Sequence, residues 1–280
     1  MTLARVIVLA LQTSIVMTVL GFGLIATFGD VLSVLRRPGL LARSLLAILV
    51  IMPIVAVVAS RLLSLRPSVE IALVALSIAP IPPLLPGKER KAGVHEGYGL
   101  GLLVIVGALA IITVPASIVI LGGHFTRPFV MPSGAITKIV LMTILVPMLS
   151  GMAINELWPA IAARLAKPIG LIAKILLATS GVVLLAGRLP TVFALMGGGS
   201  ILGLAGFIVL GLAVGHVMGG PNPDDRVALA LSTASRHPAI AITVAKANFP
   251  DDPNVVAAIF LYLLLTVVIE MVYVARWKKA

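Results

Sequence analysis

The sequence predicts an all-α polytopic membrane protein, and three observations carry that prediction. Of its 280 residues, 60% are hydrophobic and 11% charged, with a mean hydropathy of +1.18. That is under half the charged share of a soluble domain. The few charges fall between apolar stretches, many of them near the roughly 20 residues a spanning helix needs. Two of those stretches are interrupted by residues that a plain spanning helix avoids. A water-soluble globule is excluded, because there are too few polar side chains to cover its surface, and disorder is excluded by the same figures. The chain has no cysteine, so disulfides, thiol catalysis and thiolate metal sites are ruled out. Net charge is +11, from 21 Lys and Arg against 10 Asp and Glu. In a membrane protein this points first to cytoplasmic loops, then to an anionic ligand, rather than to nucleic acid.

Reading each charge-poor stretch as a span gives nine. Val6–Gly29 lies between Arg5 and Asp30, and Ser44–Ala59 ends before Arg61. Ile71–Gly87 is uncharged but holds Pro80, Pro82, Pro83 and Pro86. Gly97–Leu121 is clean, Ile139–Ile154 follows Lys138, and Pro168–Gly187 contains only Lys174. Ser200–Met218 is glycine-rich, which suits close helix contact. Val227–Ala245 is interrupted by Arg236 and His237, and Val255–Ile269 stops at Glu270. No small-residue cleavage site follows Met1–Leu11, so that run reads as the start of the first span. No polar stretch is left for a soluble domain, so residues 1–280 form one transmembrane unit. Alternate loops carrying Arg36, Arg37, Arg43, Lys88, Arg90, Lys91, Arg164, Lys167, Arg226, Arg276, Lys278 and Lys279 are the richer set. They are expected on the cytoplasmic side of a bacterial-type inner membrane, with the N-terminus outside and the C-terminus inside.

The two interrupted spans carry the functional signal. Proline lacks a backbone donor and clashes with the preceding turn, so the third span must break. In the eighth, Pro238 pushes His237 out of helical geometry, and about 1.5 Å of rise per residue puts Arg236 near the bilayer midplane. Irregular backbone survives at that depth only where protein or a water-filled cavity satisfies it. A broken helix in each half of a chain is the mark of an inverted-repeat transporter with its substrate at the midplane. The expected halves are residues 1–123, with four helices and a broken helix at 69–95, and residues 135–276, with five helices and a broken helix at 225–248. Each break is followed by one further span that completes its half.

The candidate substrate-binding residues are Arg236, His237, Ser232, Ser235, Pro80, Pro82, Pro83, Lys88 and Lys91. An arginine inside the membrane is costly and by default functional. The alternative is that it merely satisfies carbonyls at the break. With the N-terminus of a half-helix at Pro238 beside it, it favours a carboxylate. His237 is either a proton carrier or a neutral partner for unwound backbone. Lys88 and Lys91 either line an inward-facing basic cavity, about 8 Å from Pro83, or sit in a cytoplasmic loop. His95, His124 and His216 fall near span ends and are expected to be solvated. Trp158 and Trp277 are expected as interfacial anchors. Asp30, Glu70, Glu156 and Glu270 also read as span-end residues, with no carboxylate pair placed for acid–base work. With no nucleophile motif or phosphate-cradling loop either, no enzyme is expected.

Val19-Leu-Gly-Phe-Gly-Leu24 followed by Arg37-Pro38 resembles the opening signature of bile acid:sodium symporter family proteins. Ile78-Ala-Pro80 falls where that family has Cys-Pro-Gly-Gly. Asp225-Arg-Val-Ala-Leu-Ala-Leu231 and Ala245-Lys-Ala-Asn-Phe249 resemble its second crossover helix. The resemblance implies a nine-helix variant of a ten-helix fold, with a core domain carrying two crossing broken helices and a panel domain beside it. It also implies where sodium would sit, and there the chain departs. The family's Glu-x-Gly-x-Gln-Asn is Ser232-Thr-Ala-Ser-Arg236-His237 here, and its Ser-Asn after the first break is Leu85-Pro86. Sodium coupling is therefore not carried over, and Arg236 is a candidate built-in cation. The expected function is secondary active transport of a small carboxylate-bearing or amphipathic organic anion by alternating access. The expected partners are that anion and the lipid bilayer, with no nucleic acid, no obligatory protein partner and no cofactor; proton coupling stays open. An uncoupled facilitator or channel and a non-transporting membrane sensor are the alternative readings.

Overall fold

The computed structural model describes residues 3–94, 97–122, 133–197, 199–249 and 252–277. His95, Glu96, His124, Arg127, Gly198, Lys278 and Lys279 lie outside them, as does the side chain of Arg5. The described residues are helical with short connections and no strand. In chain order the helices are α1 (Leu3–Gly23), α2 (Phe28–Leu35), α3 (Pro38–Leu62), α4 (Pro67–Ile78), α5 (Leu85–Lys91) and α6 (Gly97–Gly122). Next come α7, which runs from Ser133–Val140 through Leu141–Leu145 into Val146–Leu157, and α8 (Pro159–Ala186). The chain closes with α9 (Leu189–Ala194), α10 (Ser200–Met218), α11 (Pro223–Ala234), α12 (Pro238–Asn248) and α13 (Pro253–Trp277).

Seven of these stretches are long and apolar enough to cross a membrane, with α11 and α12 taken together as one. The bent pair α1–α2 makes an eighth. Proline punctuates the chain: Pro38, Pro67, Pro159, Pro223, Pro238 and Pro253 each open a helix, where the missing N–H has no intrahelical acceptor to serve.

The first span ends earlier than the charge pattern suggests. α1 stops at Gly23, and the chain turns by 79° before α2. Thr27 and Asp30 form a capping box that starts the new helix, so residues up to Gly29 do not continue the first one. α13 is longer than expected. It runs past Glu270 to Trp277, which places that carboxylate inside a helix rather than at its end. α8 begins at Pro159 and passes through Pro168.

Two helices widen locally into π-turns, at Ala47–Ile51 in α3 and Leu141–Leu145 in α7. Both stand just before Met52-Pro53 or Val146-Pro147. A proline ring collides with the carbonyl four residues earlier, and the wider turn relieves that collision. In α3 the Met52 N–H bonds Ala47 O. Pro53 has no N–H to give, so Ile48 O is left without a helical partner.

The helices pack in two groups. α1 lies along α8 and α7. Its Gly23 meets Gly151 of α7 so closely that a Cβ on either would strike backbone. In the other group α10 lies along α11, while α4 packs on α12 and α13. Gly211, Gly215 and Gly219 line the face of α10 that meets α11, which is the close packing expected of a glycine-rich span. Contacts of α6 with α7 on one side and with α4 and α11 on the other join the two groups.

One tie crosses the second group. The Arg37 guanidinium, between α2 and α3, pairs with both oxygens of Asp225 in the first turn of α11. Hydrogen bonding to Asp225 raises the Arg37 pKa, so the guanidinium stays charged. The carboxylate is buried and the guanidinium about half exposed. Arg37→Ala is expected to cost about 1–2 kcal/mol, because it leaves a buried carboxylate that only the helix N-terminus offsets. Thermal melts in detergent check this, and Arg37→Gln with Asp225→Asn together should recover much of the loss.

Candidate functional site

The site is built where the two chain breaks touch. α4 ends at Ile78, Ala79 is extended, and the chain turns through Pro80–Pro83 before α5 begins at Leu85. α11 ends at Ala234, Ser235 and His237 are extended, and α12 begins at Pro238. The His237 N–H donates to Pro80 O at 2.9 Å, so each break satisfies part of the other. Tyr262 of α13 donates its hydroxyl to Ala234 O, closing off the end of α11, and packs its ring near Phe207 of α10.

Arg236 is the largest of the fully buried side chains, at 1% exposure. Its Nη1 donates to Ile48 O at 3.2 Å and Ala79 O at 3.3 Å. The first of these carbonyls was released by the π-turn before Pro53, and the second by the end of α4. Nε and Nη2 have no hydrogen-bond partner among the described residues. The adjacent His237 ring is fully buried, and both its nitrogens are likewise unpartnered. One edge of the guanidinium is thus anchored on backbone, while the other edge and an imidazole stay unsatisfied inside the protein. The start of α12 lies beside them. Nε and Nη2 present parallel donors of the kind that grip a carboxylate bidentately.

The remaining predicted residues divide. Ser235 Oγ donates to Glu270 Oε1 at 2.6 Å and accepts from Lys88 Nζ at 2.9 Å. Lys88 Nζ also pairs with Glu270 Oε2 at 2.6 Å. Lys88 therefore stands on a short helix facing the second break, not in a loop. Lys91 ends the same helix and is exposed. Ser232 is buried but donates to Ala228 O of its own helix at 2.8 Å. Pro82 O accepts from the Leu85 N–H, which begins α5, and Pro83 is buried in the turn between them.

Sequence reasoning missed Glu270. It was read as a span-end charge, whereas α13 carries it into the interior at 4% exposure. The available signal was its setting between apolar runs on both sides, up to Trp277. His216 also differs from expectation. It is half-buried, with Nδ1 2.7 Å from the Tyr273 hydroxyl and its ring near Trp277. Trp158 is exposed at the α7–α8 junction.

Two interrupted helices thus meet beside a buried guanidinium inside a helical membrane protein. The profile of the Sodium Bile acid symporter family matches residues 12–194. The chain belongs to that family, whose members are transporters. The matched stretch contains the first break and ends before the second. A search among curated proteins returns no match.

Proposed function

We propose that the protein is a secondary transporter for a small organic anion, with the substrate carboxylate seated on the open edge of Arg236. The observation that carries this reading is the pair of unpartnered donors on a fully buried guanidinium, where the two breaks meet. Leaving such donors unsatisfied costs about 1–3 kcal/mol each, and a carboxylate would satisfy both. An apolar or amphipathic remainder suits the aliphatic surroundings of the breaks. The full architecture is nine spans, with α4–α5 and α11–α12 as the crossing pair of an inverted repeat. Alternating access follows from the helix α1, α7 and α8 group rocking against the group that holds both breaks. The N-terminus lies outside a bacterial-type inner membrane and the C-terminus lies in the cytoplasm.

Sodium is not part of this cycle at the positions the family resemblance indicates. In support, Ser232 stands where the family carries a carboxylate, and Leu85 and Pro86 offer no side-chain oxygen. In this reading His237, beside Arg236, is a candidate proton carrier. The test is uptake of radiolabelled pyruvate, benzoate and cholate into proteoliposomes, in sodium chloride or choline chloride, with and without an inward proton gradient. Saturable uptake of at least one carboxylate, at equal rates in the two salts, is expected. Uptake that requires sodium, or no uptake of any anion, overturns the reading.

A further inference from the structure

The contact of Lys88 with Glu270 and Ser235 does more than neutralise charge. Its three members come from separate parts of the chain: α5 after the first break, the linker of the second break, and the middle of α13. They form a closed ring. The ammonium touches Glu270 Oε2 and Ser235 Oγ, and that hydroxyl donates to Glu270 Oε1. Both carboxylate oxygens are thereby engaged in a site that is almost wholly buried on the glutamate side, while the lysine side chain is 28% exposed. A buried carboxylate beside a hydroxyl oxygen is the hard-oxygen set that binds small cations. Glu89 packs its carboxylate against Gly99 of α6, Arg90 and Lys91 are exposed on α5, and Arg236 points to Ile48 and Ala79.

We propose that Lys88 is a tethered cation, its ammonium occupying a monovalent-cation site formed by the Glu270 carboxylate and the Ser235 hydroxyl. In a family named for sodium symport, this chain carries its cation on a side chain at the junction of the breaks. The ion pair bridges one half-helix and the last span, so it holds the two breaks in register without drawing on an ion gradient. The idea rests on the transport reading for its consequence, but the site itself is defined by cation binding and is tested separately from uptake.

The experiment is the thermal stability of purified protein in detergent, in sodium chloride or choline chloride at equal ionic strength. Wild type is expected to melt at the same temperature in both salts. Lys88→Ala frees the site and is expected to melt at least about 3 °C higher in sodium, saturably. Lys88→Ala with Glu270→Gln is expected to lose that response. A Lys88→Ala protein that ignores sodium overturns the proposal, as does one that aggregates in both salts. So does a sodium response that survives Glu270→Gln or that is already present in wild type. Failure of carboxylate uptake would leave these melting curves unaffected, so the two readings fail independently.

Discussion

Arg236→Ala is expected to reduce carboxylate uptake into proteoliposomes at least a hundredfold, while the protein still elutes as a folded species and keeps its helical circular dichroism. The substitution removes the donors from Ile48 O and Ala79 O, at about 1–3 kcal/mol for each stranded carbonyl. It also removes a buried charge with two unpartnered donors, which offsets much of that loss. Stability should therefore move little, while binding, which depends on the open edge of the guanidinium, disappears. Arg236→Lys sharpens the test. It keeps a positive charge but loses the planar pair of donors, so it should bind the carboxylate about tenfold more weakly rather than not at all. Uptake by Arg236→Ala at the wild-type rate would show that the guanidinium only props open backbone.

Gly215→Ala should be the most destabilising single methyl on α10. An added Cβ would stand 2.6 Å from Ala230 Cα and 2.7 Å from its nitrogen, and closer still to Leu229 O. These are main-chain atoms of α11 that cannot rotate aside, so the two helices must separate. A loss of about 3 kcal/mol is expected, or about 9 °C in melting temperature. Uptake should fall as well, because α11 leads directly into Ser235 and Arg236. Gly206→Ala on the same helix is the control. A Cβ there meets nothing within 4 Å, and alanine is the better helix former, so its melting temperature should hold or rise. Equal losses in the two variants would mean that the close approach of α10 to α11 is not what glycine provides.

What the sequence made legible follows from which signals are local. Proline acts on its own backbone and its immediate neighbours, so the four prolines from Pro80 to Pro86 and the Arg236-His237-Pro238 run marked both breaks. The helix ends are there in the structure, and the two breaks are in hydrogen-bond contact. Charge-free runs marked most spans for the same reason. The contacts that join distant parts of the chain left no such trace. Nothing near Glu270 indicates Lys88, which lies far earlier in the sequence, and nothing near Arg37 indicates Asp225. A carboxylate at the end of an apolar run looks solvated until its partner is known. The bend after Gly23 was hidden differently, because Thr27 and Asp30 sit inside an otherwise hydrophobic stretch and the cap they form is short. The fully buried state of Ser232 could not be read either, since a serine in a helix can turn outward or bond its own backbone, and here it does the latter.

The π-turn in α3 has a consequence for how such a pocket can change over evolutionary time. A regular helix would reclaim the Ile48 oxygen with the Met52 amide four residues on, but the Pro53 ring opposes that tighter register and the Met52 N–H goes to Ala47 O instead. The acceptor that receives Arg236 is therefore stipulated by Pro53, five residues further along α3. A lineage that exchanged Pro53 for an ordinary amino acid would let the coil tighten, turn its earlier residues through about 100°, and withdraw the seat on which the arginine rests.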